Sequence, residues 1–224
     1  MASTMLSCEG LYSGYLGEAA VRDIDLEVYA GQVVLLAGRN GAGKTTTLMT
    51  LAGAIKPLSG RVRVSGAAST LPLHRRVRQG LGLITEGRCV VRGLSVEENL
   101  RLGRGDMQIA FEHFPELERL RKVKAGLVSG GEQQMLVVGR VLASKPDVIL
   151  ADELSQGLAP IIVRRLLDVL RAAADEGVAV LLVEQHLRLG LGIADHVYFL
   201  RQGRVHGSNA AGNITDADIE AAYF

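Results

Sequence analysis

Gly38-Arg-Asn-Gly-Ala-Gly-Lys-Thr45 is the stretch that decides the fold. It fits G-x-x-x-x-G-K-[ST], the P-loop pattern. An apolar, β-branched run, Gln32-Val-Val-Leu-Leu-Ala37, precedes it, and a helix-like run, Thr45-Thr-Thr-Leu-Met-Thr-Leu-Ala52, follows. Strand, loop and helix in that order are the context the motif needs. Gly38, Gly41 and Gly43 lack Cβ atoms, so backbone N–H groups can turn inward around phosphate oxygens. The following helix adds the positive end of its dipole. Lys44 supplies a point charge for the β- and γ-phosphates, and the Thr45 hydroxyl is placed to ligate Mg²⁺.

The bulk numbers agree with one large α/β domain. The chain has 224 residues, a net charge of +1 and 48% hydrophobic residues, yet only 4% aromatics and no Trp. Apolar mass made of Ala, Val, Leu and Ile suits helices packed on a buried parallel sheet. Near-neutral charge provides no whole-protein field for nucleic acid. Two cysteines, Cys8 and Cys89, are too few for a metal site or a disulfide framework, which predicts a reducing compartment. The N-terminus predicts no secretory signal, and no apolar run approaches the ~20 residues that span a bilayer. Any membrane role must come through a partner.

Along the chain, strands are expected at 4–9, 22–29, 32–37, 60–66, 81–85, 147–151 and 178–183, with a hairpin at 196–200 and 204–207. Helices are expected at 72–79, 95–102, roughly 109–124, 129–143, 160–175 and 215–223. Strands alternating with helices argue for a doubly wound parallel sheet. The early alternating strands and the late hairpin predict a smaller antiparallel piece, and the mostly polar stretch 87–127 a helical lobe.

Two further motifs carry chemistry. Asp147-Val-Ile-Leu-Ala-Asp-Glu153 ends an apolar strand in two carboxylates. Residues at the C-terminal ends of parallel strands face the ligand crevice, so Asp152 would hold Mg²⁺ and Glu153 would orient or deprotonate a water. In Val128-Ser-Gly-Gly-Glu-Gln133, Ser129 and Glu132 form a capping box. The two glycines between them cost helix stability. They make sense where a phosphate must approach the backbone, and a second such receptor would serve a nucleotide held by another subunit.

P-loop, S-G-G-[EQ]-Q before a helix, then an apolar strand ending Asp-Glu: this order resembles the nucleotide-binding domain of ABC ATPases over essentially the whole chain. The resemblance implies a P-loop NTPase (RecA-like) fold with a small antiparallel β subdomain and a short α-helical subdomain. Residues 1–224 would be one nucleotide-binding domain. It implies ATP hydrolysis coupled to transport at the cytoplasmic face of a membrane. Two such domains, identical or sisters, would enclose two ATP molecules. Gly38, Asn40, Gly41, Ala42, Gly43, Lys44, Thr45 and Thr46 would hold one of them, and the other subunit's Ser129, Gly130, Gly131 and Glu132 would close over it. Tyr15 resembles the aromatic that stacks on adenine. His186, in Val-Glu-Gln-His, resembles the switch histidine at the γ-phosphate. Glu153, His186 and Lys44 are the implied catalytic set; Thr45, Glu86 and Asp152 are the implied Mg²⁺ set. Ser155-Gln-Gly-Leu158 resembles the loop that crosses the dimer interface.

Thr85-Glu-Gly-Arg88, Leu94-Ser-Val-Glu-Glu-Asn-Leu100, Gly130-Gly-Glu-Gln-Gln-Met-Leu136 and Gly157-Leu-Ala-Pro160 resemble ATP-binding subunits of branched-chain amino acid importers. Permease subunits and, indirectly, a substrate-binding protein are the implied partners. Urea-type and amide-type importers and a soluble ATPase of cofactor assembly are the alternatives. Four departures stand out: Leu154 for the family's Pro, Val128 for Leu, Val91 for an aromatic, and a helical lobe about one helix short. Glu86 also stands where most of the family has Gln.

Overall fold

A computed structural model describes residues 3–87 and 89–223. The chain opens on two long antiparallel strands, β1 (Thr4–Tyr15) and β2 (Glu18–Tyr29). The buried strand β3 (Val33–Ala37) then runs into the P-loop and helix α1 (Lys44–Ala52). β4 (Ser59–Val64) and β5 (Ala67–Ala68) return to the first pair, and α2 (Leu73–Arg78) leads to β6 (Leu81–Ile84). Three short helices follow: α3 (Val96–Arg101), α4 (Met107–His113) and α5 (Pro115–Arg119). The long α6 (Gly130–Ala143), β7 (Val148–Asp152), α7 (Pro160–Asp175) and β8 (Ala179–Glu184) rebuild the α/β alternation. α8 (Leu187–Leu191), the hairpin β9 (His196–Arg201) and β10 (Arg204–Ala210), and α9 (Asp216–Tyr223) complete it.

Two sheets result. The first has the order β2-β1-β4-β5 and is antiparallel. The second has the order β10-β9-β3-β8-β7-β6, parallel except for β10 at its edge. These are the doubly wound sheet and the small antiparallel piece that the alternation predicts, but the late hairpin, expected in the antiparallel piece, instead joins the large sheet, where β9 pairs in parallel with β3.

The apolar runs are continuous because the second sheet is covered on both faces. Val33, Leu35 and Ala37 of β3 pack with Ile149, Ala151, Val180 and Leu182 on the side of α6 and α7. Val34 and Leu36 point the other way, with Val148, Leu150, Leu181 and Val183, toward α1 and the antiparallel sheet. α7 buries Val163, Leu166, Leu167, Leu170, Ala173 and Ala174, a stripe at helical spacing. At about 25 cal/mol per Å² of apolar surface removed from water, this double burial is the main force holding the strand ends in place.

Three local expectations are revised. β1 continues past Glu9 to Tyr15. Its alternation is broken at Gly10, with φ 53°, and by register shifts between Cys8 and Leu11, and such bulges hide a strand from a period-two reading. The polar stretch 109–124 is not one helix. Pro115 has no N–H to continue α4 and instead starts α5. The five-residue α8 has no counterpart among the expected helices, because Leu187-Arg-Leu-Gly-Leu191 is too short for a periodic signal. Arg88 of the Thr85–Arg88 stretch lies outside the described residues. Among the described residues no helix is long and apolar enough to cross a membrane.

Candidate functional site

The parallel strands end on one edge of the sheet, and their last residues sit side by side. Ala37, just before the P-loop, pairs with Glu184 of β8. Asp152 of β7 pairs with Val183. Sheet order thus carries the loop from β3 and the carboxylates from β7 into one crevice, as expected at the carboxyl ends of parallel strands.

The loop is held from below. Ala42 donates to the Arg39 carbonyl at 3.1 Å, and Gly203 in the β9–β10 turn donates to the Ala42 carbonyl at 3.0 Å. Gly43 caps α1 at φ 102°, and a Cβ there would lie 2.4 Å from Val21 Cγ1. At Gly38 a Cβ would meet the Leu200 carbonyl oxygen at 2.2 Å. These two glycines are required by close approach.

Lys44 is 4% exposed and folds back over the loop. Its ammonium donates to the Gly38 carbonyl at 2.9 Å and the Arg39 carbonyl at 3.3 Å. Glu153 Oε1 lies 3.5 Å away. Glu153 stands at φ 46°, a left-handed conformation that costs a non-glycine residue of order 1–3 kcal/mol. Its N–H donates to the Val183 carbonyl at 2.9 Å, which helps hold the strained turn.

Asp152 is 2% exposed, and its Oδ1 has no hydrogen-bond partner among the described residues. Burial pushes its carboxyl from 3.8 up to about 6; the Thr45 hydroxyl pulls the other way, and the Glu153 and Glu86 charges add to the rise. An orphaned buried carboxylate oxygen beside Thr45 fits a divalent cation. No three His, Cys, Asp or Glu side chains cluster as a metal cage among the described residues. A cation here would complete its shell with phosphate oxygens and water, the habit of Mg²⁺.

A cavity of about 350 Å³ is lined by Asn40, Gly41, Gly43, Lys44, Thr45, Thr46, Glu86 and Glu153. Ala20 of β2 and Gln156 also line it, although no motif in the sequence marks either for this site. Gly38 and Ala42 are buried beneath it. Tyr15 is not among the lining residues; it stands 56% exposed at the end of β1. His186 is exposed at the start of α8 and does not line the cavity either.

Ser129, Gly130, Gly131 and Glu132 also stand apart from this cavity, at the N-terminus of α6. The capping box is formed there: Glu132 N–H donates to Ser129 Oγ at 3.3 Å, and Ser129 N–H to Glu132 Oε2 at 2.7 Å. A Cβ at Gly131 would only touch Ile162 at an ordinary 3.4 Å, so packing within the chain does not demand glycine there.

A larger cavity, about 1100 Å³, lies elsewhere. Leu73, Val77, Leu81, Leu83 and Leu102 line it, with Arg78, Arg104 and Arg140 also present.

Loop, helix dipole, lysine and buried carboxylate on a doubly wound sheet define a P-loop NTPase. The comparisons narrow this. Residues 21–156 match the ABC transporter family. The chain is 41% identical to the high-affinity branched-chain amino acid transport ATP-binding protein BraG of Pseudomonas aeruginosa, over 98% of this chain and 99% of that one. It is 32% identical to the lipopolysaccharide export system ATP-binding protein LptB of Acidithiobacillus ferridurans, over 96% and 93%. The fold matches the crystal structure of the ADP conformation of an ATP-binding cassette of an ABC transporter, with TM-score 0.84, 23% identity, and coverage of 97% and 93%. The chain belongs to the ABC transporter family, as a nucleotide-binding ATPase cassette.

Proposed function

We propose that this cassette powers the uptake of branched-chain amino acids through a membrane permease, working at the cytoplasmic face as a peripheral subunit. Support for the substrate comes from the 41% identity to BraG and the four quoted stretches. Residues 1–224 act in this reading as one nucleotide-binding domain, with a helical subdomain roughly over 87–127. Urea-type or amide-type uptake, or a role in cofactor assembly, is the alternative.

The observation that carries the chemistry is the crevice itself: Lys44 Nζ 3.5 Å from Glu153 Oε1, beside the unpartnered Asp152 Oδ1. Phosphates entering the loop would take Lys44 from the Gly38 and Arg39 carbonyls. Thr45 and Asp152, with Glu86 across the cavity, would hold Mg²⁺, which neutralises phosphate charge when bound. Glu153 would then be released from Lys44 to polarise water. Tyr15 would stack on adenine, and His186 would reach the γ-phosphate once its loop closes.

The helix end at Ser129 lies outside the chain's own crevice, and packing does not explain Gly131. That supports a second cassette, identical or a sister, whose Ser129–Glu132 segment covers this chain's nucleotide. The large apolar cavity with its arginines is the surface we assign to the permease, with a substrate-binding protein engaged indirectly.

The test is labelled leucine uptake in cells lacking this chain, complemented by wild type or by Glu153→Gln, alongside ATPase assays of both purified proteins. Wild type should restore uptake; Glu153→Gln should not, with turnover roughly 10²- to 10⁴-fold lower. Untouched leucine uptake would remove the substrate assignment. Wild-type turnover in Glu153→Gln would remove the assignment of Glu153.

A further inference from the structure

The turn that presents Glu153 is clamped to the end of β8 by a side chain that the proposed chemistry does not use. Glu184 is fully buried, at 0% exposure, although it carries a carboxyl. Both of its oxygens are taken by one residue. Ser155 N–H donates to Oε1 at 3.1 Å, and Ser155 Oγ–H donates to Oε2 at 2.7 Å. Next to it, the Val183 carbonyl accepts the Glu153 N–H at 2.9 Å.

These bonds tie residues 153–155 to residues 183–184. They span the strained φ of 46° at Glu153. A non-glycine residue keeps such a conformation only where its surroundings over-determine it. Leu154 adds to the clamp, since its side chain is 1% exposed in the core on the side of α6 and α7. The family's Pro at that position would fix φ and donate nothing. Here the backbone on both sides of Leu154 is held by the N–H bonds of Glu153 and Ser155.

A buried carboxylate needs such partners. Burial pushes the Glu184 carboxyl up, and the two Ser155 bonds pull it down. Its position has a further consequence. Glu184 pairs with Ala37 in the parallel ladder, one residue before the P-loop. The clamp thus refers the Glu153 turn to the same strand end that carries the phosphate loop.

We infer that Glu184 and Ser155 form a positioning pair that sets the aim of the Glu153 carboxylate relative to Lys44 and the phosphate loop. The pair acts through the backbone of residues 153–155, and neither residue lines the phosphate cavity. It rests on the reading of Glu153 as the group that polarises water. Its contribution is to kcat, since nucleotide binding is made by the loop and Lys44.

The test compares Ser155→Ala and Ser155→Thr in the full-length purified protein, with wild type and Glu153→Gln alongside. ATP turnover, KM for ATP and thermal melting are read for each. Ser155→Ala removes the hydroxyl bond and leaves Oε2 of Glu184 unpaired, at almost unchanged volume. Its kcat should fall roughly 10- to 100-fold, the scale of a misplaced catalytic group, with KM for ATP within about twofold of wild type. Ser155→Thr keeps the hydroxyl and should return kcat to within about threefold of wild type.

Equal kcat in Ser155→Ala and wild type would overturn the inference, as would equal loss in Ser155→Ala and Ser155→Thr. A rise in KM with kcat unchanged would also overturn it, because that places the pair in binding. Glu153→Gln separates the two levels. If Glu153→Gln turns over like wild type, the reading of Glu153 fails and the positioning role fails with it. If Glu153→Gln is inactive while Ser155→Ala is not impaired, only the positioning role fails.

Discussion

Two helix N-termini in this chain carry glycines, and they are built differently. At α1 the cap is Gly43, with no side-chain bond, and the preceding loop folds around an open space. A lysine sits inside that loop, with carboxylates from another strand facing it. At α6 the cap is Ser129 and its capping box is closed. The first end opens on a cavity lined by Lys44, Thr45 and the carboxylates of Glu86 and Glu153. The second offers amides and a hydroxyl, and in the proposed dimer its ligand would arrive on another surface.

A third helix end shows that the cap itself is not the signal. α3 starts with the same S-x-x-E box, with bonds of 3.2 Å and 2.7 Å that nearly match those at α6. There the first turn is Val96, fully buried, and Glu97, ion-paired with Arg101 and Arg121. Buried bulk and negative charge close that end to anions. At α6 the corresponding positions are Gly130 and Gly131, both partly exposed.

The largest effect should come from emptying the α1 site of its lysine. Lys44→Ala removes the buried ammonium beside the loop, worth about 3 kcal/mol to a charged ligand, or roughly a hundredfold in affinity. Nucleotide titration by calorimetry checks this, and unchanged affinity would place the phosphate elsewhere.

The next effect concerns the charge stored at that site. Asp152 has its carboxyl raised from 3.8 to about 6, chiefly by burial. An acid whose folded pKa is raised binds its proton more tightly when folded. Its penalty is therefore absent below about pH 4, grows as pH rises to about 6, and is fully present above that. Two pKa units correspond to roughly 3 kcal/mol. In EDTA without nucleotide, Asp152→Asn should melt higher than wild type at about pH 7.5, and the difference should shrink toward about pH 4. A difference independent of pH would show that packing, rather than charge, separates the two proteins.

The smallest effect tests the α6 end against α3. Gly131→Ala should stabilise the fold by up to about 1 kcal/mol, since alanine is the better helix former and Ile162 leaves room for it. ATP hydrolysis should nevertheless fall, with nucleotide affinity of the lone chain unchanged. Ser95→Ala at α3 should do the reverse, costing about 1 kcal/mol of stability with turnover per folded molecule intact. If both variants hydrolyse ATP equally well, the two capped ends are equivalent and α6 has no ligand.

Much of the site is legible in the sequence. Gly38–Thr45, Asp152 and Glu153 end apolar runs, and Glu86 follows another. Lys44, Thr45, Glu86 and Glu153 meet at the cavity, and Asp152 is buried beside Thr45. Tyr15 and His186 have no such local signature, and in this conformation neither lines the cavity. Glu184 carries the same signal as Asp152, a carboxylate at the end of a continuous apolar strand. The apolar run stops at Val183, so a strand drawn by hydropathy ends one residue short of it. Gln156 and Ala20 reach the cavity from a turn and from the other sheet, and no spacing rule connects them to Lys44.

Sequence alone determined what is local. A phosphate cradle is made by consecutive backbone amides, so the short run from Gly38 to Thr45 suffices to specify it, and burial on both faces writes itself into continuous apolar strands. Tertiary structure alone decided what faces what. Ser155 meets Glu184 across 29 residues of chain, and Glu153 meets Lys44, because sheet order sets β3, β8 and β7 side by side. Strand order is a property of how layers pack, and it leaves no mark on any single stretch of sequence.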